Sequence, residues 1–124
     1  MQYRTETKRV KGLGTAKHGF GHWWMQRLTA VLMLPLGIWF VISLSTLENL
    51  SPDLLMQWLH NPIPAILMAL WSMTVVYHGA LGLQVIIEDY VHGKKMALSL
   101  LLLTKFAMLG MIVVTLFSLF KLVS

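Results

Sequence analysis

Four residues of this 124-residue chain, His78, Asp89, Tyr90 and Arg27, are of types that can do chemistry and stand where apolar packing does not call for them. His78 lies in a run of residues such as Trp71, Met73, Val75, Val76, Leu81, Leu83, Val85 and Ile86. At a rise of about 1.5 Å per residue, it sits roughly 15 Å inside the end of that run at Glu88. An imidazole surrounded this way needs a hydrogen-bond partner or a metal. Two readings stand. A neutral histidine can bond a carbonyl or hydroxyl of a neighbouring helix, or it can be an axial ligand to a haem iron. Gly79 and Gly82 leave room for a flat macrocycle, and equally for close helix packing.

Asp89 follows His78 by 11 residues. Eleven helical steps of about 100° return to within roughly 20° of the start, so the two share a face with Gly82 and Val85. That face leads from a deep imidazole to a carboxylate at the edge, with the Tyr90 phenol beside it. A phenol that donates and a carboxylate that holds a partner or relays a proton suit a site that binds and protonates a quinone carbonyl. An ordinary helix end with an interfacial tyrosine has the same residues. Arg27 opens the first apolar run. A guanidinium there either anchors the chain among headgroups or grips the planar carboxylates of haem propionates. His18 and His22 lie close enough in sequence to assist it, and the spacing does not choose between them. His60 falls in a loop, and His92 lies at the inner boundary. A six-coordinate haem therefore draws its second axial ligand from another polypeptide, unless Met68 or Met73 supplies it.

The elements that position these groups are membrane spans. The composition is 56% apolar and 12% charged, too few charges to cover a small soluble globule. Leu28–Leu47 is free of charged residues, as is Ala65–Ile87, and Ala97–Phe120 is interrupted only by Lys105. About 20 such residues cross the hydrocarbon layer. The chain therefore reads as one all-α membrane-anchor domain over residues 1–124, with spans near 24–47, 65–88 and 97–120. Pro35 is expected to kink the first span. Residues 1–22 read as a basic arm, with Trp23 and Trp24 at an interface. The 48–64 connection is a loop, with a short interfacial helix expected over Leu54–His60. Lys105 reads as a snorkelling lysine or as a functional partner at depth.

The arm and the 88–96 turn hold seven of the ten Lys and Arg residues, and the 48–64 loop holds none. Basic residues stay inside, so the N-terminus is expected in the cytoplasm and the C-terminus outside. With no cysteine, disulfides, thiolate metal sites and cysteine nucleophiles are excluded. The net charge of +5 is concentrated just before an apolar run, which points to membrane topology and not to nucleic acid. No cleavable signal peptide is expected, because no short apolar core with a small-residue cleavage site precedes the first span.

The segments Gln26-Arg27-Leu28-Thr29-Ala30 and His78-Gly79-Ala80-Leu81-Gly82-Leu83-Gln84-Val85-Ile86-Ile87-Glu88-Asp89-Tyr90 together resemble the hydrophobic membrane anchor subunit of succinate dehydrogenase, the D-type subunit of respiratory complex II. The resemblance covers essentially the whole chain, and the His with Asp-Tyr after it is its specific part. Sister C-type subunits carry a segment such as His-Arg-x-Thr-Gly in the first span. Here Gln26 precedes Arg27 and Ala30 takes the glycine position, which favours the D-type. The resemblance implies His78 as an axial ligand of haem b, with the other ligand on the C-type cytochrome b subunit. It implies Tyr90 as the tyrosine that hydrogen-bonds ubiquinone, Asp89 as its acidic neighbour, and Arg27 near the haem propionates. The implied partners are that C-type subunit, an iron–sulfur subunit and a flavoprotein subunit, in a bacterial inner membrane. The chain itself would then do no succinate chemistry within the succinate dehydrogenase (quinone) complex. The competing expectations are a haem-free anchor of a fumarate reductase-like or other dehydrogenase, and a small scaffold in which His78 only cements helices.

Overall fold

In the computed structural model, residues 16–124 are described, with side chains from Phe20 onward. The described residues form four helices and no strand: α1 (Ala16–Ser45), α2 (Pro52–His60), α3 (Pro62–Tyr90) and α4 (Lys94–Val123). The sequence expectations for the basic arm before Ala16 lie outside the described residues.

Three of these helices are long and apolar enough to cross a membrane: Phe20–Ser45 within α1, then α3 and α4, at 26, 29 and 30 residues. At about 1.5 Å per residue each exceeds the roughly 30 Å hydrocarbon layer, so tilt or headgroup-level ends take up the excess. The helix α1 begins at Ala16, so it extends into the segment read from sequence as arm. It also runs unbroken through Pro35. Proline removes one backbone N–H, and in an apolar medium every other turn keeps its bond because no water competes for it. The short helix expected over 54–60 is present and starts at Pro52.

Local signals explain the breaks. The side chain of Ser51 accepts from the Leu54 N–H at 3.4 Å, Pro52 takes the first helical position of α2, and Asp53 lies in its first turn. Asn61 both ends α2 and caps α3, accepting from the Ile63 N–H at 3.2 Å, with Pro62 next. The α3–α4 turn is only Val91–Gly93. So short a connection forces the two helices to lie side by side and antiparallel.

The helix α3 is the centre of the molecule. It packs against α1 on one side and α4 on the other, and among the described residues the backbones of α1 and α4 do not come close to each other. The helix α2 rests against α3 and α4. Between α1 and α3 the seam is closed by Leu36 and Leu81, both buried, and by Phe40 stacked on Trp71 with ring centroids 4.3 Å apart. Gly37 belongs to the same seam: a Cβ there would meet the Trp71 indole nitrogen at 3.7 Å, an ordinary contact. Trp39 stacks on Trp58 of α2 with ring centroids 5.8 Å apart and ties α2 to the C-terminal half of α1. The buried apolar core of the described residues is limited to Leu36, Ala65, Leu81 and Ile87. No residue of α4 is buried. Apolar side chains cover the outside of all three long helices, as lipid and neighbouring subunits require.

Candidate functional site

His78 is half-buried on α3, at the i+4 position from buried Thr74 and three residues before buried Leu81. Helical spacing thus turns it toward α1. There its Nδ1 lies 2.9 Å from the hydroxyl oxygen of Thr29. Thr29 is 7% exposed, and its hydroxyl is also 2.8 Å from the Met25 carbonyl and 3.1 Å from the Gln26 carbonyl. No hydrogen-bond partner for the second ring nitrogen, Nε2, is found among the described residues. One turn further along the same face, a Cβ at Gly82 would meet nothing within 4 Å, and the same is true at Gly79. The glycines therefore leave bare surface beside the imidazole and do not serve a tight contact inside this chain. Among the described residues no three His, Asp or Glu side chains converge. Any metal at His78 must be completed by other ligands, as a haem iron is.

The other residues singled out from sequence are not gathered around His78 by this chain. Asp89 is exposed, and Tyr90 is 77% exposed, at the C-terminal end of α3. The Tyr90 carbonyl lies 3.1 Å from His92 Nδ1, and Gln84 donates to the Glu88 carboxylate at 2.8 Å. Neither contact engages the phenol or the Asp89 carboxylate. Arg27 is exposed, with its guanidinium 5.7 Å from the centroid of the Trp23 ring, a distance at which a cation is attracted to the indole face. His22 is placed by α1, whereas the side chain of His18 lies outside what is described.

Two features go beyond the sequence reading. The first is the identity of the partner of His78: a hydroxyl of a neighbouring helix is one of the two sequence expectations, and Thr29 supplies it across the α1–α3 seam. The available signal was a hydroxyl inside an uncharged run, seven residues before Leu36, which places it on the stripe of α1 that faces α3. The second is a cavity of about 300 Å³ bordered by α1, α3 and α4. Its lining includes His22, Tyr77, Gln84 and Lys105 among apolar side chains, and the Nε2 atom of His22 is buried with no partner among the described residues. Lys105 therefore borders this cavity. The residues of that wall come from three helices, and no single-helix period displays them.

Three spans, a core of few residues and a deep histidine beside a bare face define an integral membrane subunit that is finished by other chains. Residues 1–119 match the family described as succinate dehydrogenase/fumarate reductase transmembrane subunit, and the chain belongs to that family. It is 32% identical over 103 residues to the succinate dehydrogenase hydrophobic membrane anchor subunit of Rickettsia bellii, covering 83% of this chain and 82% of the relative. It is 32% identical over 93 residues to the subunit of the same name from Paracoccus denitrificans, covering 75% and 72%. The succinate dehydrogenase membrane anchor subunit of Reclinomonas americana is 33% identical over 82 residues, covering 64% and 68%. No solved structure matches the chain. The sequence identification as a succinate dehydrogenase membrane anchor therefore holds. With three apolar helices, the chain is a multi-pass inner-membrane protein and one subunit of a larger complex.

Proposed function

We propose that this anchor holds one haem b jointly with a C-type sister subunit and contributes one edge of the ubiquinone-reduction site. The observation that carries the haem half is the state of His78. One ring nitrogen is engaged by Thr29, the other has no partner among the described residues, and the adjacent surface at Gly82 is bare. A histidine that only cemented helices would use its hydrogen-bonding capacity within the seam. The residues fit the group: Nε2 of His78 would be one ligand to its iron, and Arg27 would offer a planar guanidinium to its propionates. When bound, the haem supplies a one-electron carrier within the membrane.

The quinone half rests on the inner end of α3. The Tyr90 hydroxyl is free to donate to a quinone carbonyl, and the Asp89 carboxylate beside it is placed to hold a partner side chain or pass a proton. Two electrons reach the quinone from succinate oxidation through the iron–sulfur subunit, which receives them from the flavoprotein. Two protons come from the cytoplasmic side, and quinol leaves into the bilayer. The orientation follows from the basic residues: the N-terminal segment and Lys94 and Lys95 at the start of α4 face the cytoplasm, and the C-terminus faces the periplasm.

The test is purification of the intact complex in mild detergent by a tag on this chain. Masses of a sister membrane subunit, an iron–sulfur subunit and a flavoprotein, with a b-type haem spectrum, are expected. The same partner masses with no haem absorbance would replace this reading with that of a haem-free anchor.

A further inference from the structure

The contacts of the Thr29 hydroxyl determine which way its proton points. The oxygen lies 2.8 Å from the Met25 carbonyl, 3.1 Å from the Gln26 carbonyl and 2.9 Å from His78 Nδ1. A hydroxyl has one proton to give, and a carbonyl can only accept. If the proton went to His78, the threonine oxygen would face two carbonyl oxygens with no hydrogen between them, which is repulsive. With the proton directed at the Met25 carbonyl, the shortest of the three contacts, the same oxygen accepts from a protonated Nδ1. The imidazole is then the Nδ1–H tautomer, and its lone pair is at Nε2. Other buried or half-buried threonines show what is unusual here. Thr74 and Thr104 make the same back-bond, to Leu70 and Leu100 at 2.7 and 2.9 Å, and neither has a side-chain partner.

We propose that Thr29 is a positioning residue for His78: its hydroxyl fixes the tautomer and the ring plane that present Nε2 to the haem iron. The proposal rests on the haem reading for what Nε2 binds. Groups that bond the far nitrogen of a metal-ligating histidine orient the ring and push electron density toward the metal. Thr29 does this from a different helix, so it also couples the α1–α3 seam to the ligand's orientation. Electron density given to the iron favours its oxidised form, so losing the bond moves the haem midpoint potential upward.

The experiment compares Thr29→Val, Thr29→Ala and Thr29→Ser in the purified complex. The readouts are the haem midpoint potential, the low-spin electron paramagnetic resonance signal of the ferric haem, and the transfer of haem to apomyoglobin. Val and Ala should raise the potential, broaden the resonance signal and weaken haem retention by about tenfold. Ser keeps the hydroxyl and should restore all three. If Val does not assemble, Ala carries the same expectation with a smaller side chain. Native potential and resonance signal in Val or Ala would overturn the positioning role, as would a Ser complex that behaves like Val. His78→Ala separates this from the reading beneath it. Full haem occupancy in that variant would overturn the haem assignment, and this inference with it. Haem lost from His78→Ala, together with native signatures in Thr29→Val, would overturn this inference alone.

Discussion

The two ends of the C-terminal half of α3 are built differently. At His78 the chain supplies its own support: a buried hydroxyl at 2.9 Å across a seam closed by Leu36 and Leu81. At Asp89 and Tyr90, 11 and 12 residues later, no described residue engages the phenol or the carboxylate, and Tyr90 is 77% exposed. A metal ligand gains from being held in one orientation before the metal arrives, because the ring then needs no reordering on binding. If the shallow end is the proposed quinone-site edge, it must let its substrate enter and leave, with its other walls supplied by partner subunits. Preorganisation belongs to the deep residue, and completion by assembly belongs to the shallow ones.

Removing the deep residue should have the largest effect. His78→Ala is expected to abolish the b-type haem spectrum of the purified complex, with the partner subunits still co-purifying. Full haem absorbance would erase the distinction between the two ends. At the shallow end, Tyr90→Phe deletes one hydroxyl and leaves the fold untouched, because that side chain is exposed. Loss of one hydrogen bond of about 1.4 kcal/mol corresponds to roughly tenfold in rate. Quinone-linked turnover should fall by about that factor, while succinate oxidation by a soluble dye stays unchanged. Equal quinone turnover in the variant would remove Tyr90 from the site.

The seam that supports His78 can be weakened without touching chemistry. Leu81→Ala leaves a cavity against α1. Core cavities cost about 2–5 kcal/mol in water-soluble proteins, but lipid removes most of the transfer contribution, so a cost on the order of 1–3 kcal/mol is expected. Thermal inactivation of the detergent-solubilised complex should show it as a lower midpoint, with the haem spectrum at low temperature unchanged. The smallest effect is expected for Thr74→Val. Its hydroxyl bonds only its own helix, to the Leu70 carbonyl at 2.7 Å, so stability should change by less than about 0.5 kcal/mol. A large loss of haem in Thr74→Val would mean that any hydroxyl in the seam matters and that Thr29 is not special.

Much of this was legible in the linear sequence. Three uncharged runs separated by polar connections determine three spans, because backbone polar groups in lipid can be satisfied only within helices. The Ser51-Pro52-Asp53 and Asn61-Pro62 segments read as loop, and only the structure shows them starting helices at Pro52 and Pro62; the asymmetry of Lys and Arg gives an expected orientation. The spacing of His78 and Asp89 already placed them on one face of one helix. The start of α1 at Ala16 was less legible, because the glycines of that segment read as flexible while the helix that follows draws them in.

What the sequence determined about His78 was its type and its depth, since both follow from local order and helical rise. The tertiary structure decided its partner. Thr29 lies 49 residues away in sequence, and only the packing of α1 against α3 brings that hydroxyl to one ring nitrogen and leaves the other with no partner among the described residues. The same packing brings α1, α3 and α4 around the cavity beside Lys105. Periodicity reports which face of a helix is apolar. It does not report which helix will cover that face, because in a membrane lipid covers an apolar face as readily as protein does.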